Sequence, residues 1–359
     1  MPNVLARMGL SVCCSNFSTQ VLRSKTRKID FMTKITLSSL FLSRRKVLAS
    51  IVAASTATIA LAPASVFAGP TEVRIGYQKN GVLYLAKETG QLEAALKAKG
   101  LSVKWVEFSF GPPLLEALGA GSIDYGTTGD SPPIFAQAAG AKIVYVAAQE
   151  AAGSGAAILV KDGSNINSLN DLKGKKVGFA KASSSHNLTI AALEKVGLKY
   201  NDIEPVYLAP ADGAAAFAKG AVDAWTIWDP FFAVAEAQPG TKVLAPAKGI
   251  VTQNSFFLAN ADFAKANPDL VAAVNEGLAA TARWAEKNRA EVTTVFSKAT
   301  GIAPDIQQKA VDRTEFVIHP LRDPVIAEQQ RIADRFQSLG LIPKQIAVKD
   351  IVWSWKPAS

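Results

Sequence analysis

Residues 121–133 read GSIDYGTTGDSPP and residues 220–230 read GAVDAWTIWDP, so this chain of 359 residues carries one loop pattern twice. In each copy a Gly-x-x-Asp turn leads into a strand-like run that ends, six residues after the first aspartate, in Asp130 or Asp229. A proline follows closely, and this order favours a helix start with an acceptor at the N-cap. Each strand then ends at a helix N-terminus, where open α/β sheets bind small ligands. Two copies predict two similar lobes with matching edges at one cleft.

The sequence around this repeat alternates between strand and helix patterns. Residues 73–77 and 103–108 are predicted strands with a helical stretch between them, and the alternation continues to residues 143–146. A second series of predicted strands runs from residues 156–160 to residues 242–245. This βαβαβ order predicts the α/β class, with mostly parallel sheets flanked by helices on both faces.

The domain organisation follows from where this alternation changes. Beyond residues 255–259 the pattern becomes one of long amphipathic helices punctuated by prolines. We expect the chain to cross between lobes near Gly153 and to return near Gln253, so that the helical tail completes the first lobe. The predicted domains are a signal segment (1–68), a first lobe (69–154 plus 254–359) and a second lobe (155–253).

The positive charge of the chain is concentrated in its first 68 residues. The formal net charge is +9, and residues 1–68 hold nine Lys or Arg and a single acid, Asp30. The remaining chain has 30 basic and 29 acidic residues, so it offers no basic field that would attract nucleic acid. We therefore expect no nucleic-acid partner.

This leading segment has the order of a secretory signal peptide. The basic residues 44–46 precede an uncharged run, residues 47–68, which ends in VFA. We predict cleavage after Ala68 and a periplasmic mature protein. A retained membrane anchor is the alternative, disfavoured by the Ala, Ser and Thr content of the run. Residues 43–48 (SRRKVL) also resemble a twin-arginine signal, which leaves both export routes open, and Met32 is an alternative start of the chain.

The residues that most often carry catalysis or bind metals are scarce. Cys13 and Cys14 both precede the predicted cleavage site, so the mature chain would have no thiolate nucleophile and no disulfide. Its two histidines, His186 and His319, are too few and too far apart for a zinc site. Nucleophile elbows and phosphate-binding loops are also absent from the sequence. We predict a binding protein rather than an enzyme, with no catalytic residue, metal or cofactor.

Two loops at predicted strand ends could bind an anion. Ser183, Ser184 and Ser185 place three hydroxyls at a helix start, where unpaired backbone amides attract anions without a formal cation. Simple capping by one serine is the alternative. In the loop of residues 127–131, Gly129 permits an unusual φ and a close backbone approach. Asp130 either caps the helix or contacts a ligand, since a carboxylate beside an anion is repulsive.

Three further side chains near these loops have two interpretations each. Trp228 would cover an alkyl chain or belong to the core. His186 would donate to an oxyanion or act structurally. Gln78 would donate its amide to an anion or be an ordinary exposed loop residue.

At these loops the chain resembles the periplasmic aliphatic sulfonate-binding proteins of ABC transporters. The matching motifs are RIGYQK (74–79), TGD with PPIFAQAAG (128–130 and 132–140), SSSHNL (183–188), and DAW with IWDP (223–225 and 227–230). The resemblance covers essentially the whole mature chain. It implies a two-lobed periplasmic binding protein of type II that closes on its ligand in a cleft between the lobes. It also implies sulfur acquisition through a membrane permease and its ATPase subunit, with the binding protein acting as a monomer.

The resemblance also implies which residues contact the ligand. Those placed near the anion are Gln78, Thr128, Gly129, Ser131, Ser183, Ser184, Ser185 and His186. Trp228 and Asp229 are placed near the tail of the ligand. For Asp130 both roles, helix cap and ligand contact, stay open. The alternatives are a binder of taurine, whose amine Asp229 would hold, of nitrate or of a sulfate ester. A desulfinase-like enzyme is a more distant alternative, because the nucleophilic cysteine of that class is missing from the mature chain.

Overall fold

The computed structural model describes residues 71–356. The predicted signal segment, its cleavage after Ala68, the alternative start at Met32 and both cysteines lie outside these residues. The described residues belong to one compact unit. Within residues 71–356, no helix combines the length and the apolar character needed to cross a membrane.

Within residues 71–356, ten strands form two sheets of five. The strands are β1 (Glu72–Tyr77), β2 (Ser102–Glu107), β3 (Tyr125–Gly129), β4 (Ile143–Gln149), β5 (Ala156–Lys161), β6 (Lys176–Phe179), β7 (Glu204–Tyr207), β8 (Ala224–Trp228), β9 (Thr241–Pro246) and β10 (Ser255–Asn260). The first sheet has the order β2-β1-β3-β10-β4 and the second the order β7-β6-β8-β5-β9. We call each sheet with the helices packed on it a lobe.

In the described part of the chain, twelve α-helices flank the sheets. They are α1 (Gly81–Thr89), α2 (Gln91–Lys97), α3 (Gly111–Gly119), α4 (Ser131–Ala138), α5 (Ser184–Lys195), α6 (Pro210–Ala218), α7 (Phe231–Glu236), α8 (Ala261–Ala266), α9 (Pro268–Lys287), α10 (Arg289–Thr300), α11 (Pro304–Asp312) and α12 (Asp323–Ser338). Helices α8 to α12 correspond to the predicted helical tail, and α9 packs on α1 in the core of the first lobe.

Each sheet is mixed in a way that the sequence pattern does not reveal. In the first sheet β1 pairs in parallel with β2 and β3, whereas β10 pairs antiparallel with β3 and β4. In the second sheet β6 pairs in parallel with β7 and β8, whereas β5 pairs antiparallel with β8 and β9. Four strands of each sheet therefore run in one direction and a single inserted strand runs in the other.

The apolar core lies on both faces of each sheet, because alternate residues of a strand point to opposite faces. In β10, Phe257 packs into one core cluster of the first lobe while Phe256 and Leu258 pack into the other. In β5, Leu159 and Ile158 divide in the same way between the two clusters of the second lobe. Strands buried on both faces explain the nearly continuous apolar runs of the sequence.

The first aspartate of the repeated loop makes the same contact in both lobes. The carboxylate of Asp124 accepts a hydrogen bond from the amide of Arg74 at 2.8 Å, and that of Asp223 accepts one from the amide of Lys176, also at 2.8 Å. The first aspartate of each copy thus ties its turn to the neighbouring parallel strand. The predicted lobe boundaries, at 154/155 and 253/254, fall between strands of the two sheets and stay a prediction.

Candidate functional site

A cavity of about 210 Å³ lies between the two lobes, at the ends of β3 and β8. The first lobe lines it with the end of β3 and with residues 310–315, which follow or end α11. The second lobe contributes the start of α5 and the loop that follows β8. Both copies of the repeated loop therefore line one cavity, as the sequence predicts for two lobes with matching edges.

Seven of the eleven candidate residues line this cavity, and the structure thus brings them together. They are Gln78, Thr128, Gly129, Ser183, Ser184, Trp228 and Asp229. The other four, Asp130, Ser131, Ser185 and His186, are buried behind its wall. Direct contact of any of them with a ligand stays a prediction.

Gly129 of the first lobe lies against the side chain of Ser184 of the second lobe. A Cβ atom added at Gly129 would lie 2.0 Å from Ser184 Oγ, so only glycine permits this approach. The expected unusual φ is wrong, since the φ of Gly129 is not positive and the residue is the last of β3. Its close approach to the side chain of Ser184, rather than to a backbone, explains the glycine here.

This end of the cavity offers neutral hydrogen-bond donors. Helix α5 begins at Ser184, and the first amides of a helix have no partner within it. Their dipoles point positive charge towards an anion, whereas the hydroxyl of Ser184 hydrogen-bonds to the carboxylate of Asp130. The Nε2 atom of Gln78 lies at the same end and donates to the carbonyl of Thr127 at 3.3 Å. No Lys or Arg among the described residues stands at this end of the cavity lining.

Asp130 ties the lobes together instead of capping α4. Its backbone is helical, with φ −64° and ψ −46°, and its side chain makes no capping hydrogen bond. One carboxylate oxygen accepts from Ser131 Oγ at 2.7 Å and the other from Asn187 Nδ2 of α5 at 3.1 Å. Burial raises the pKa of this carboxyl group, which is 1% exposed. The N-cap interpretation of Asp130 is therefore wrong, because the carboxylate is turned towards the other lobe.

His186 is packed among aromatic rings. Its ring centroid lies 5.0 Å from that of Phe179 and 5.2 Å from that of Phe336, and its Nε2 atom is 3.0 Å from the Tyr200 hydroxyl. Burial lowers the pKa of His186 to about 3, so the ring is neutral at physiological pH. The side chain of Ser185 is likewise fully buried. In the first turn of α5, only Ser184 of residues 184–186 faces the cavity.

Trp228 and Asp229 line a further part of the same cavity, which we call its tail end. The Oδ1 atom of Asp229 accepts from the amide of Ala233 in the first turn of α7 at 3.0 Å, so this aspartate does cap its helix. Burial raises the pKa of Asp229 to about 6, against the opposing effect of Arg313, whose Nη1 atom is 3.5 Å from Oδ1. Trp228 lines the cavity and also packs against the apolar core of the second lobe.

Arg313 is a site residue that the sequence did not indicate. It follows α11, between the core residues Val311 and Phe316 of the first lobe. It is the one Lys or Arg among the described residues that line the cavity. Sequence patterns gave no signal for it, since it belongs to no motif and its partners lie 77 and more residues away.

The family model described as NMT1/THI5 like matches residues 80–292, which is more than half of the chain. The chain belongs to the NMT1/THI5-like family. A curated relative, the aliphatic sulfonates-binding protein of Escherichia coli (strain K12), is 42% identical over 301 residues, which cover 83% of this chain and 93% of that protein.

Two solved structures of relatives match over nearly their whole lengths. The periplasmic aliphatic sulphonate binding protein SsuA from Escherichia coli gives a TM-score of 0.74 at 40% identity, covering 81% of this chain and 94% of that chain. The alkanesulfonate-binding protein SsuA from Xanthomonas axonopodis pv. citri, bound to MOPS, gives 0.76 at 40% identity, covering 80% and 99%. The resemblance drawn from the sequence motifs is thereby confirmed, as is the two-lobed periplasmic binding protein fold of this family member.

Proposed function

We propose that the protein is the periplasmic solute-binding component of an ABC importer and that it binds aliphatic sulfonates for sulfur acquisition. The observation that carries this proposal is the donor set at one end of the cavity. Side-chain amide and helix N-terminal donors from the two lobes line it there without a Lys or Arg side chain. A sulfonate is a permanent monoanion with three acceptor oxygens, which such neutral donors can satisfy from both sides.

The proposed ligand contacts follow from the cavity lining. Gln78, Thr128, Gly129, Ser183 and Ser184 would surround the sulfonate, through side chains or backbone amides. Trp228 and Asp229 would lie along the tail, where an indole covers alkyl groups well. A donor set without formal charge suits reversible capture, for which a Kd of about 1 μM, about 8 kcal/mol, is sufficient.

The cellular setting belongs to the same proposal. Residues 1–68 would be removed as a signal peptide, and the mature protein would act as a monomer in the periplasm. The first lobe would comprise residues 69–154 and 254–359 and the second lobe residues 155–253. Their closed form would dock on a membrane permease that an ATPase subunit drives. The relatives that match this chain so fully are named as binding proteins, which favours a carrier over an enzyme.

Taurine is the second candidate ligand, and the acidic end of the cavity favours it. Asp229 is ionised above pH 6 and would hold an ammonium group, which an alkanesulfonate lacks. Nitrate and sulfate have no tail to fill that end of the cavity. A sulfate ester has the same kind of anionic group as a sulfonate, but an additional oxygen joins its sulfur atom to the tail.

Calorimetric titration of the purified protein, expressed from the full-length chain, tests the proposal. The panel consists of short and long alkanesulfonates, taurine, an aromatic sulfonate, sulfate and nitrate. We expect one-to-one binding of alkanesulfonates and no binding of nitrate. A clear preference for taurine would favour the second candidate, and no binding of any sulfonate would refute the proposal.

A further inference from the structure

A three-residue ionic cluster closes the tail end of the cavity. Arg313 of the first lobe places Nη2 2.5 Å from Glu236 Oε2 and Nη1 3.5 Å from Asp229 Oδ1, both of the second lobe. The guanidinium carbon also lies 4.1 Å from the centroid of the Phe232 ring. The three charged side chains are 10% to 30% exposed, so water screens them only in part.

The cluster carries more negative than positive charge. One guanidinium faces two carboxylates, so its net charge is −1 when Asp229 is ionised. A further carboxylate, Glu315, lines the same cavity and accepts a hydrogen bond from the amide of Ala152 at 3.1 Å. The guanidinium is engaged by carboxylates on one edge and by an aromatic ring on its face. Among the described residues the Nη1 atom of Arg313 has no hydrogen-bond partner, but the two carboxylates beside the guanidinium outnumber it, so this part of the cavity keeps a net negative charge.

This arrangement gives the cavity two electrically different ends. The donor end, at Gly129 and Ser184, attracts one anion through the unpaired amides and the dipole at the start of α5. The cluster end repels a second anion, because like charges that are partly buried interact strongly. A ligand that spans the cavity thus meets favourable electrostatics only when its tail is neutral or cationic.

We infer that Asp229, Glu236 and Arg313 form a charge filter that admits sulfonates with uncharged or cationic tails and excludes those with a second anionic group. The inference rests on the proposed function and adds the substrate class that the site rejects. Glu236 and Arg313 are thereby assigned as specificity-determining residues, because their charges contribute to the net charge at the tail end of the cavity.

The test compares two ligands of nearly equal shape, 4-sulfobutanoate and its neutral amide 4-sulfobutanamide. Titration of the purified wild-type protein should show that the amide binds at least about tenfold more tightly, the effect of 1.4 kcal/mol. The variants Asp229→Asn and Glu236→Gln each bring the cluster from −1 to neutral. Each should reduce the ratio of the two affinities to about threefold or less.

A matched control removes an acid of the same kind elsewhere. Asp262→Asn changes the net charge of the protein equally, but Asp262 pairs with Lys142 on the surface and its side chain is 71% exposed. We expect this variant to keep the wild-type ratio. Because Asp229 also caps α7, Glu236→Gln provides a second variant that leaves that cap intact.

The outcomes separate the inference from the proposed function. If the wild-type protein binds no sulfonate, the proposed function fails. If it binds alkanesulfonates but takes the carboxylate and the amide equally well, the filter is refuted while the function stands. An unchanged ratio in both cluster variants, or an equal change in Asp262→Asn, would also refute the assignment of the filter to these residues.

Discussion

The contact between Gly129 and Ser184 predicts that a single methyl group should weaken ligand binding. In Gly129→Ala the new Cβ would lie 2.0 Å from Ser184 Oγ and 3.3 Å from Ser184 Cβ. The first distance forces the hydroxyl of Ser184 into another rotamer, away from the carboxylate of Asp130 to which it hydrogen-bonds. The second distance requires α5 to move by a few tenths of an ångström.

The cost follows from the hydrogen bond that is lost. A hydrogen bond to a charged group contributes about 1.5–3 kcal/mol, which corresponds to a roughly 10- to 100-fold increase in Kd. We expect this loss in ligand affinity because the contact joins the two lobes at the donor end of the cavity. The fold of each lobe should survive, since the clash lies between the lobes and not within a core.

Titration with a butanesulfonate ligand, beside a thermal unfolding curve, measures both effects. Gly155→Ala is the matched control, because its Cβ would lie 3.7 Å from Asp229 Oδ2, an ordinary contact in the same cavity. We expect the control to stay within about threefold of the wild-type affinity, less than 1 kcal/mol. Wild-type affinity in Gly129→Ala would show that the two lobes do not meet at this glycine when the ligand is bound.

Three further predictions concern the tail end, the pH dependence and the export signal. Trp228→Ala should lower the affinity for a long alkanesulfonate about tenfold more than the affinity for methanesulfonate, since only the long tail loses apolar contact. Equal losses of affinity for both ligands in titration would contradict this. Burial raises the pKa of Asp229 from 3.8 to about 6, so its contribution to the free energy of unfolding should fall as pH rises from about 4 to 6. Denaturant titrations measure the free energy of unfolding of the wild type and of Asp229→Asn, and the difference between the two should change by about 3 kcal/mol over that range. A difference that does not depend on pH would refute this prediction. The exported protein should begin at Gly69 by mass spectrometry, and lysines in place of Arg44 and Arg45 should retain the precursor in the cytoplasm only if export is of the twin-arginine type.

Much of the fold can be predicted from the repeated loop, because strand, turn and helix N-terminus are local features. The direction of a strand is not local. The runs of β5 and β10 are as apolar as those of their neighbours, and nothing in them indicates that they lie antiparallel in the middle of a sheet. That placement depends on pairings between residues more than 60 positions apart, which residue patterns do not encode.

The candidate site was predictable where it depends on loop position and not where it depends on side-chain direction. Ser184 and His186 are two residues apart in α5, yet one faces the cavity and the other is fully buried. Helical geometry turns successive residues by about 100°, so a motif cannot contact one ligand with all of its members. Arg313 was missed for a different reason, since its position beside Asp229 exists only after the two lobes are packed together.

The insertion of β10 also determines the order in which the chain can fold. All five strands of the second sheet lie within residues 156–246, so this part has every strand of its sheet in one continuous segment. The first sheet lacks its strand between β3 and β4 until residues 255–260 have left the ribosome. Residues synthesised first therefore complete their structure last, and pairings between residues about 130 positions apart are slow to form. A chain interrupted before residue 255 would leave the facing edges of β3 and β4 unpaired, exposed to proteases and to aggregation.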